Sequence, residues 1–180
     1  MTEVGSVYGQ ALYDLAHSEG LSKAILDELG ILNHCFTVEE PAFLKLLSTP
    51  TLTKQERCQI LDDSFRGKLQ PYLLNFLKIL TEKGYIRHFS HCCDAYQENY
   101  YRDNNILLVK AVTAVPLTID QLKRLTKKLS SITGKQIELR CAVDPNCLGG
   151  VRLDYDGKRL DDTVAHRLAA VRSALKNTVL

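Results

Sequence analysis

The sequence predicts an α+β chain in two parts: an N-terminal all-α six-helix bundle over residues 1–105, then a small C-terminal α/β sandwich domain over residues 106–180. Three observations predict it. Apolar residues recur with the helical period through the first part and alternate, strand-like, in much of the second. The charge changes sign at the same place: residues 1–105 hold 10 Lys/Arg against 14 Asp/Glu, and residues 106–180 hold 13 against 7. Between them lies Arg102-Asp103-Asn104-Asn105, a polar stretch that reads as a linker.

In the first part, Val4, Val7, Tyr8, Ala11, Leu12, Leu15 and Ala16 follow the i, i+3, i+4, i+7 rule and predict an amphipathic helix that Gly20 ends. Leu21, Ile25, Leu29, Leu32 and Phe36 predict a second, stopping before Pro41. Phe43 to Leu47 form a short apolar turn broken by Ser48-Thr49-Pro50. Thr53-x-x-Glu56 is a capping box ahead of a helix carrying Ile60, Leu61 and Phe65, closed by Gly67. Pro71 opens the next helix at a first-turn position. Its Leu73, Leu77 and Leu80 make one apolar stripe, and Tyr72, Phe76 and Ile79 a second beside it. So wide an apolar arc predicts burial on more than one side. Gly84 caps this helix, and Phe89, Cys93, Tyr96 and Tyr100 line the last one.

In the second part, Ile106 to Val115 is β-branched and apolar and reads as a buried strand ended by Pro116. Thr118-x-x-Gln121 caps a helix with Leu122, Leu125, Leu129 and Ile132, closed by Gly134. Ile137, Leu139, Cys141 and Val143 alternate with polar or small residues, as in a half-exposed strand. Val151, Leu153 and Tyr155 alternate again, with Gly149 and Gly150 read into the same strand pattern and Asp156-Gly157 as a tight hairpin. Asp161 is expected to cap a final helix with Val164, Leu168, Val171 and Leu175 on one face.

Composition excludes several classes. With 45% hydrophobic and 24% charged residues, the chain reads as globular, and no apolar run approaches the roughly 18 residues of a membrane span. The N-terminus has no basic region leading into an apolar stretch, so the product is expected to stay where it is made. Six cysteines occur without any CxxC, and they read as reduced thiols. His88, His91, Cys92 and Cys93 are the nearest approach to a metal cluster and read as core cysteines beside surface histidines. There is no phosphate-cradling loop, no nucleophile elbow and no zinc-protease motif, so neither cofactor nor catalytic residue is expected. Lys123, Arg124, Lys127 and Lys128 form a basic helix face. It carries no interleaved aromatic residue, which favours a solvated face or an acidic protein partner over nucleic acid.

Several stretches resemble one family: the δ subunit of bacterial and chloroplast rotary ATP synthases, called the oligomycin-sensitivity-conferring protein in mitochondria. Val7-Tyr8-Gly9-Gln10-Ala11-Leu12-Tyr13 is similar to the family's opening helix, Leu46-Leu47-Ser48-Thr49-Pro50 to a helix-ending segment, and Glu82-Lys83-Gly84 to a helix-capping one. The most specific match is Val143-Asp144 through Leu148-Gly149-Gly150-Val151-Arg152-Leu153, followed by Leu160-Asp161-Asp162-Thr163. Gly9, Tyr85 and Thr163 stand where the family commonly has Ala, Arg and Ser.

The resemblance implies a non-catalytic stator subunit of the proton-translocating enzyme. Residues 1–105 would bind the N-terminal helices of the α subunits, and residues 106–180 the C-terminal ends of the b subunits. It implies a peripheral place at the cytoplasmic face of the cell membrane, reached only through the complex, and no nucleic-acid partner. The α-subunit groove is expected on the first and fifth helices, at Tyr8, Ala11, Leu12, Leu15, Tyr72, Phe76 and Ile79. Stalk binding is expected around Gly149, Gly150, Val151, Leu168, Val171 and Leu175. An RNA-associated protein using its basic C-terminal part is the alternative.

Overall fold

The computed structural model describes residues 2–49 and 52–170, and the chain divides into two compact units, Met1–Tyr100 and Tyr101–Leu180. The helical unit begins with α1 (Glu3–Ser18), capped by the Thr2 hydroxyl, which accepts from the Gly5 N–H. Its buried face is Gly5, Gly9, Leu12, Tyr13 and Ala16. That face is rotated from the one the apolar spacing predicts, for Val7 is 62% exposed and Leu15 41%.

Glycine explains the rotation. α1 lies so close to α6 (Phe89–Asp103) that a Cβ on Gly9 would stand 2.5 Å from the Cys92 carbonyl oxygen and 2.8 Å from the Ala95 Cβ. Gly9→Ala is therefore expected to lower stability, although alanine is worth about 1 kcal/mol more than glycine in a free helix. Overpacking a tight contact costs roughly 1–3 kcal/mol, which outweighs that gain. Urea denaturation measures the balance, and an unchanged or higher midpoint would mean that α6 yields instead.

α2 (Ser22–His34) buries Ile25, Leu29 and Leu32, then widens into a π-helical turn over Cys35–Glu39 that keeps Phe36 inside. Phe36 stacks on Phe43 at 5.5 Å and meets Phe89 edge-on at 5.3 Å, so this turn anchors an aromatic cluster. The expected apolar turn at Phe43–Leu47 is in fact a helix, α3 (Pro41–Ser48), opened by Pro41 at its first position. In α4 (Lys54–Phe65) the capping box forms as read: Thr53 Oγ1 accepts from Glu56 N, and Glu56 Oε2 accepts from Thr53 N.

α5 (Pro71–Lys83) buries Leu73, Leu77 and Leu80 completely and ends at Gly84, whose φ of 77° closes the helix in the left-handed region. A single turn of 3₁₀ helix over Ile86–His88 leads into α6. There Tyr96 is fully buried, its hydroxyl donating to the Ser22 carbonyl at 2.9 Å. The polar stretch read as a linker is largely helix: α6 runs to Asp103, and only Asn104 and Asn105 separate it from the first strand.

The second unit is a four-stranded sheet ordered β2-β1-β3-β4. β1 (Ile106–Thr113) pairs in parallel with β2 (Gln136–Val143) through the crossover helix α7 (Ile119–Thr133). It pairs antiparallel with β3 (Val151–Tyr155), which turns at Asp156-Gly157 into β4 (Lys158–Asp161). Positive φ at both turn residues, 46° and 68°, is what a tight hairpin requires. Val109, Ala111 and Leu153 form the small core, covered by Leu125 and Leu129 of α7.

Two expectations are corrected here. Gly149 and Gly150 do not lie in a strand; they follow a 3₁₀ turn at Pro145–Cys147 and precede β3. The last helix, present at 164–170, is capped by Thr163, not Asp161. Thr163 Oγ1 accepts from His166 N, while Asp161 Oδ1 accepts from the Thr163 N–H and hydroxyl. Those two bonds, hydroxyl first, hold the Asp161 carboxyl below its ordinary range.

Candidate functional site

On the helical unit, α1 and α5 leave an apolar seam open. Tyr8 is half-buried and Ala11 exposed on α1, with Leu15 at 41% exposure; on α5, Tyr72 is 36% and Ile79 38% exposed. Two of the expected groove residues belong elsewhere. Leu12 (4%) and Phe76 (7%) point into the bundle core, because each lies a turn-fraction around its helix from the exposed stripe. They support the groove floor from beneath.

Both ends of the seam are fastened. Tyr8 meets the Tyr85 ring edge-on at 5.8 Å, and Tyr85 is placed there by the left-handed turn at Gly84. At the other end the charge of Glu19 raises the Tyr72 phenol above its ordinary pKa, and the two side chains share a hydrogen bond. α1 and α5 therefore run antiparallel, and the seam between these ends spans about eleven residues of α1, roughly 16 Å. That length suits about three turns of a docked amphipathic helix. Val7 and Tyr85 belong to this surface and were not among the expected residues. Tyr85 follows a helix-ending glycine, outside any periodic stripe, so spacing gives no sign of it.

The neighbouring hollow between α4 and α5 is open and polar, lined by Lys54, Gln55, Cys58, Gln59, Asp62, Glu82 and Lys83. Burial pushes the Cys92 thiol up to about 11 and Cys93 well above its ordinary value, so both are packing residues with protonated sulfur. Among the described residues no three His, Cys, Asp or Glu side chains are grouped to hold a metal ion.

On the second unit, the expected stalk-binding residues are dispersed. Val151 packs into the small core, Leu168 is 57% exposed, and Val171 and Leu175 lie outside the described residues. Gly149 and Gly150 are clamped: the Gly149 carbonyl accepts from Val164 N at 3.0 Å, and the Asp162 N–H donates to the Val151 carbonyl at 3.2 Å. Their role is to tie the start of β3 to the start of the last helix. The sheet face away from α7 carries a charged row across all four strands, Arg140, Lys110, Asp154 and Arg159 in register. The Arg159 guanidinium donates to Asp154 at 2.7 Å and, first among the causes, holds that carboxyl low. On α7, Lys123, Arg124, Lys127 and Lys128 are all exposed.

A helix-accepting seam on one unit and a charged sheet on the other define the class: a two-part protein–protein adaptor. The family model described as ATP synthase delta (OSCP) subunit matches residues 4–175, and the chain belongs to that family. It is 32% identical over 177 residues to the ATP synthase subunit delta of Alkaliphilus oremlandii, covering 98% of each chain. It is 26% identical to the chloroplastic subunit delta of Ochrosphaera neapolitana, over 97% of this chain and 98% of that one. The fold matches a chain of the Toxoplasma gondii mitochondrial ATP synthase hexamer with a TM-score of 0.74 at 21% identity, over 97% of this chain and 98% of that one. The protein is thus a stator component of the peripheral stalk of ATP synthase, a structural subunit that works with the other subunits of the complex and is not itself catalytic. No described helix is long and apolar enough to cross a membrane. None of these matches supports the RNA-associated alternative.

Proposed function

We propose that the first unit, a bundle of six helices covering residues 1–105, holds the N-terminal helix of an α subunit in the α1–α5 seam. The second unit, from residue 106, grips the C-terminal ends of the b subunits. The observation that carries the first assignment is the row of exposed apolar side chains, Leu15, Tyr72 and Ile79, above a fully buried core. A bundle helix ordinarily keeps such residues inside, and exposing them in a contiguous stripe serves an apolar partner. Held this way, the subunit links the catalytic head to the stalk, so that torque on the rotor is spent on synthesis. Its place is peripheral, at the cytoplasmic face of the membrane, through the complex alone.

Titration with a synthetic peptide of the α-subunit N-terminus tests the assignment. Covering the exposed part of Ile79 is worth on the order of 1–3 kcal/mol, so Ile79→Ala is expected to weaken the peptide roughly five- to a hundredfold. Circular dichroism confirms that the variant is folded, and unchanged affinity in a folded variant moves the groove elsewhere. For the second unit, the basic excess and the charged row on the sheet support a partner that brings carboxylates.

A further inference from the structure

We infer that the α1–α5 seam is directional: it takes its partner helix with the N-terminus over Glu19 and Tyr72, and with a bulky apolar side chain of the C-terminal turn against the Tyr8–Tyr85 pair. This rests on the seam being the α-subunit groove. The inference comes from the unequal chemistry of the two ends. Glu19 is exposed immediately beyond the last turn of α1, and Asp14, also exposed, borders the stripe one residue before Leu15. The hydrogen bond from Tyr72 holds the Glu19 carboxylate at the groove, so this end presents fixed negative charge.

The opposite end is walled by two tyrosine rings at 5.8 Å, with Lys83 at its rim four residues beyond Ile79. The neighbouring carboxylate there, Glu82, is turned toward α4, where the Cys58 thiol lies 3.7 Å away. A helix carries about half a positive charge at its N-terminus and half a negative charge at its C-terminus. Lying N-terminus to Glu19, a partner brings its positive end to carboxylates and its negative end to the cation. Reversed, it meets a like charge at both ends. The rings add a shape preference, since an apolar or aromatic side chain gains edge and face contacts there that the polar end does not offer.

The test uses the full ¹⁵N-labelled chain and the α-subunit N-terminal peptide, made once with a nitroxide at its first residue and once at its last. The N-terminal label is expected to broaden amides near Glu19 and Tyr72, and the C-terminal label those near Tyr8 and Tyr85. A reversed pattern, or equal broadening at both ends, overturns the direction. Absence of binding, or broadening confined to α4, overturns the groove itself and the direction with it. Glu19→Gln keeps an acceptor for Tyr72 but removes the charge. It should weaken the peptide about two- to fivefold at low ionic strength, with the effect erased by high salt. Tyr85→Ala should weaken it roughly fivefold at any salt concentration. No loss in Glu19→Gln, or a salt-independent one, counts against charge as the orienting force.

Discussion

Gly150→Asp is expected to unfold the C-terminal unit while leaving the helical unit folded. Gly150 has a φ of 79°, a conformation costly for a residue with a side chain. The larger obstacle is space: a Cβ there would overlap the Asp162 carbonyl oxygen and stand 3.1 Å from the Thr163 Cα. Both neighbours are backbone, fixed by the Asp162 N–H bond to Val151 and by the bonds of Thr163 to Asp161, so no rotamer change relieves the overlap. The expected cost is about 3 kcal/mol or more, a large share of the stability of a small unit. Amide resonances of β1 to β4 should collapse while those of α1 to α5 persist. Gly157 is the control, with φ of 68° but open space around its Cβ direction, so Gly157→Ala should cost only about 1 kcal/mol. A folded sheet in Gly150→Asp would show that the 162–163 backbone can move. Loss of stalk binding in this variant would therefore report on folding before it reported on any contact.

Ala11→Asp is expected to abolish binding of the α-subunit helix without harming the bundle. Ala11 is exposed in the free chain, so the aspartate stays hydrated there and the fold is spared. Its only local penalty is repulsion from Asp14, three residues on, worth a few tenths of a kcal/mol. Under an apolar partner helix the carboxylate loses its water and gains nothing. That costs on the order of 3 kcal/mol or more, about a hundredfold or greater in affinity. Ala11→Ser, nearly the same size and uncharged, should lose far less. Equal, small losses in both variants, measured by calorimetry alongside dichroism, would remove Ala11 from the interface.

Much of the architecture is legible because local chemistry dictates it. Both capping boxes, at Thr53 and Thr118, form with the partners their spacing predicts, since each satisfies backbone groups within one helical turn. Pro71, Gly84, Gly134 and the Asp156-Gly157 hairpin punctuate the chain where they are read, because backbone torsion is a property of the residue itself. The parallel crossover of β1, α7 and β2 follows from the switch between alternating and helical periods.

Which face of a helix turns inward was another matter. Hydrophobic spacing on α1 marked Val7 and Leu15 as core, yet the buried face contains Gly5 and Gly9, residues with no hydrophobicity to count. Their worth is the absence of a side chain, which has meaning only against α6. Tyr85 joins the seam, and Gly150 becomes irreplaceable, for the same reason: each depends on an atom brought near by tertiary packing, on Tyr8 in one case and on Asp162 in the other. The sequence by itself determined the family, the order of elements and their ends, all of which rest on residues within a few positions of one another. Only the tertiary structure decided which apolar side chains are spent on the core and which are left for a partner, because exposure is a relation between distant parts of the chain.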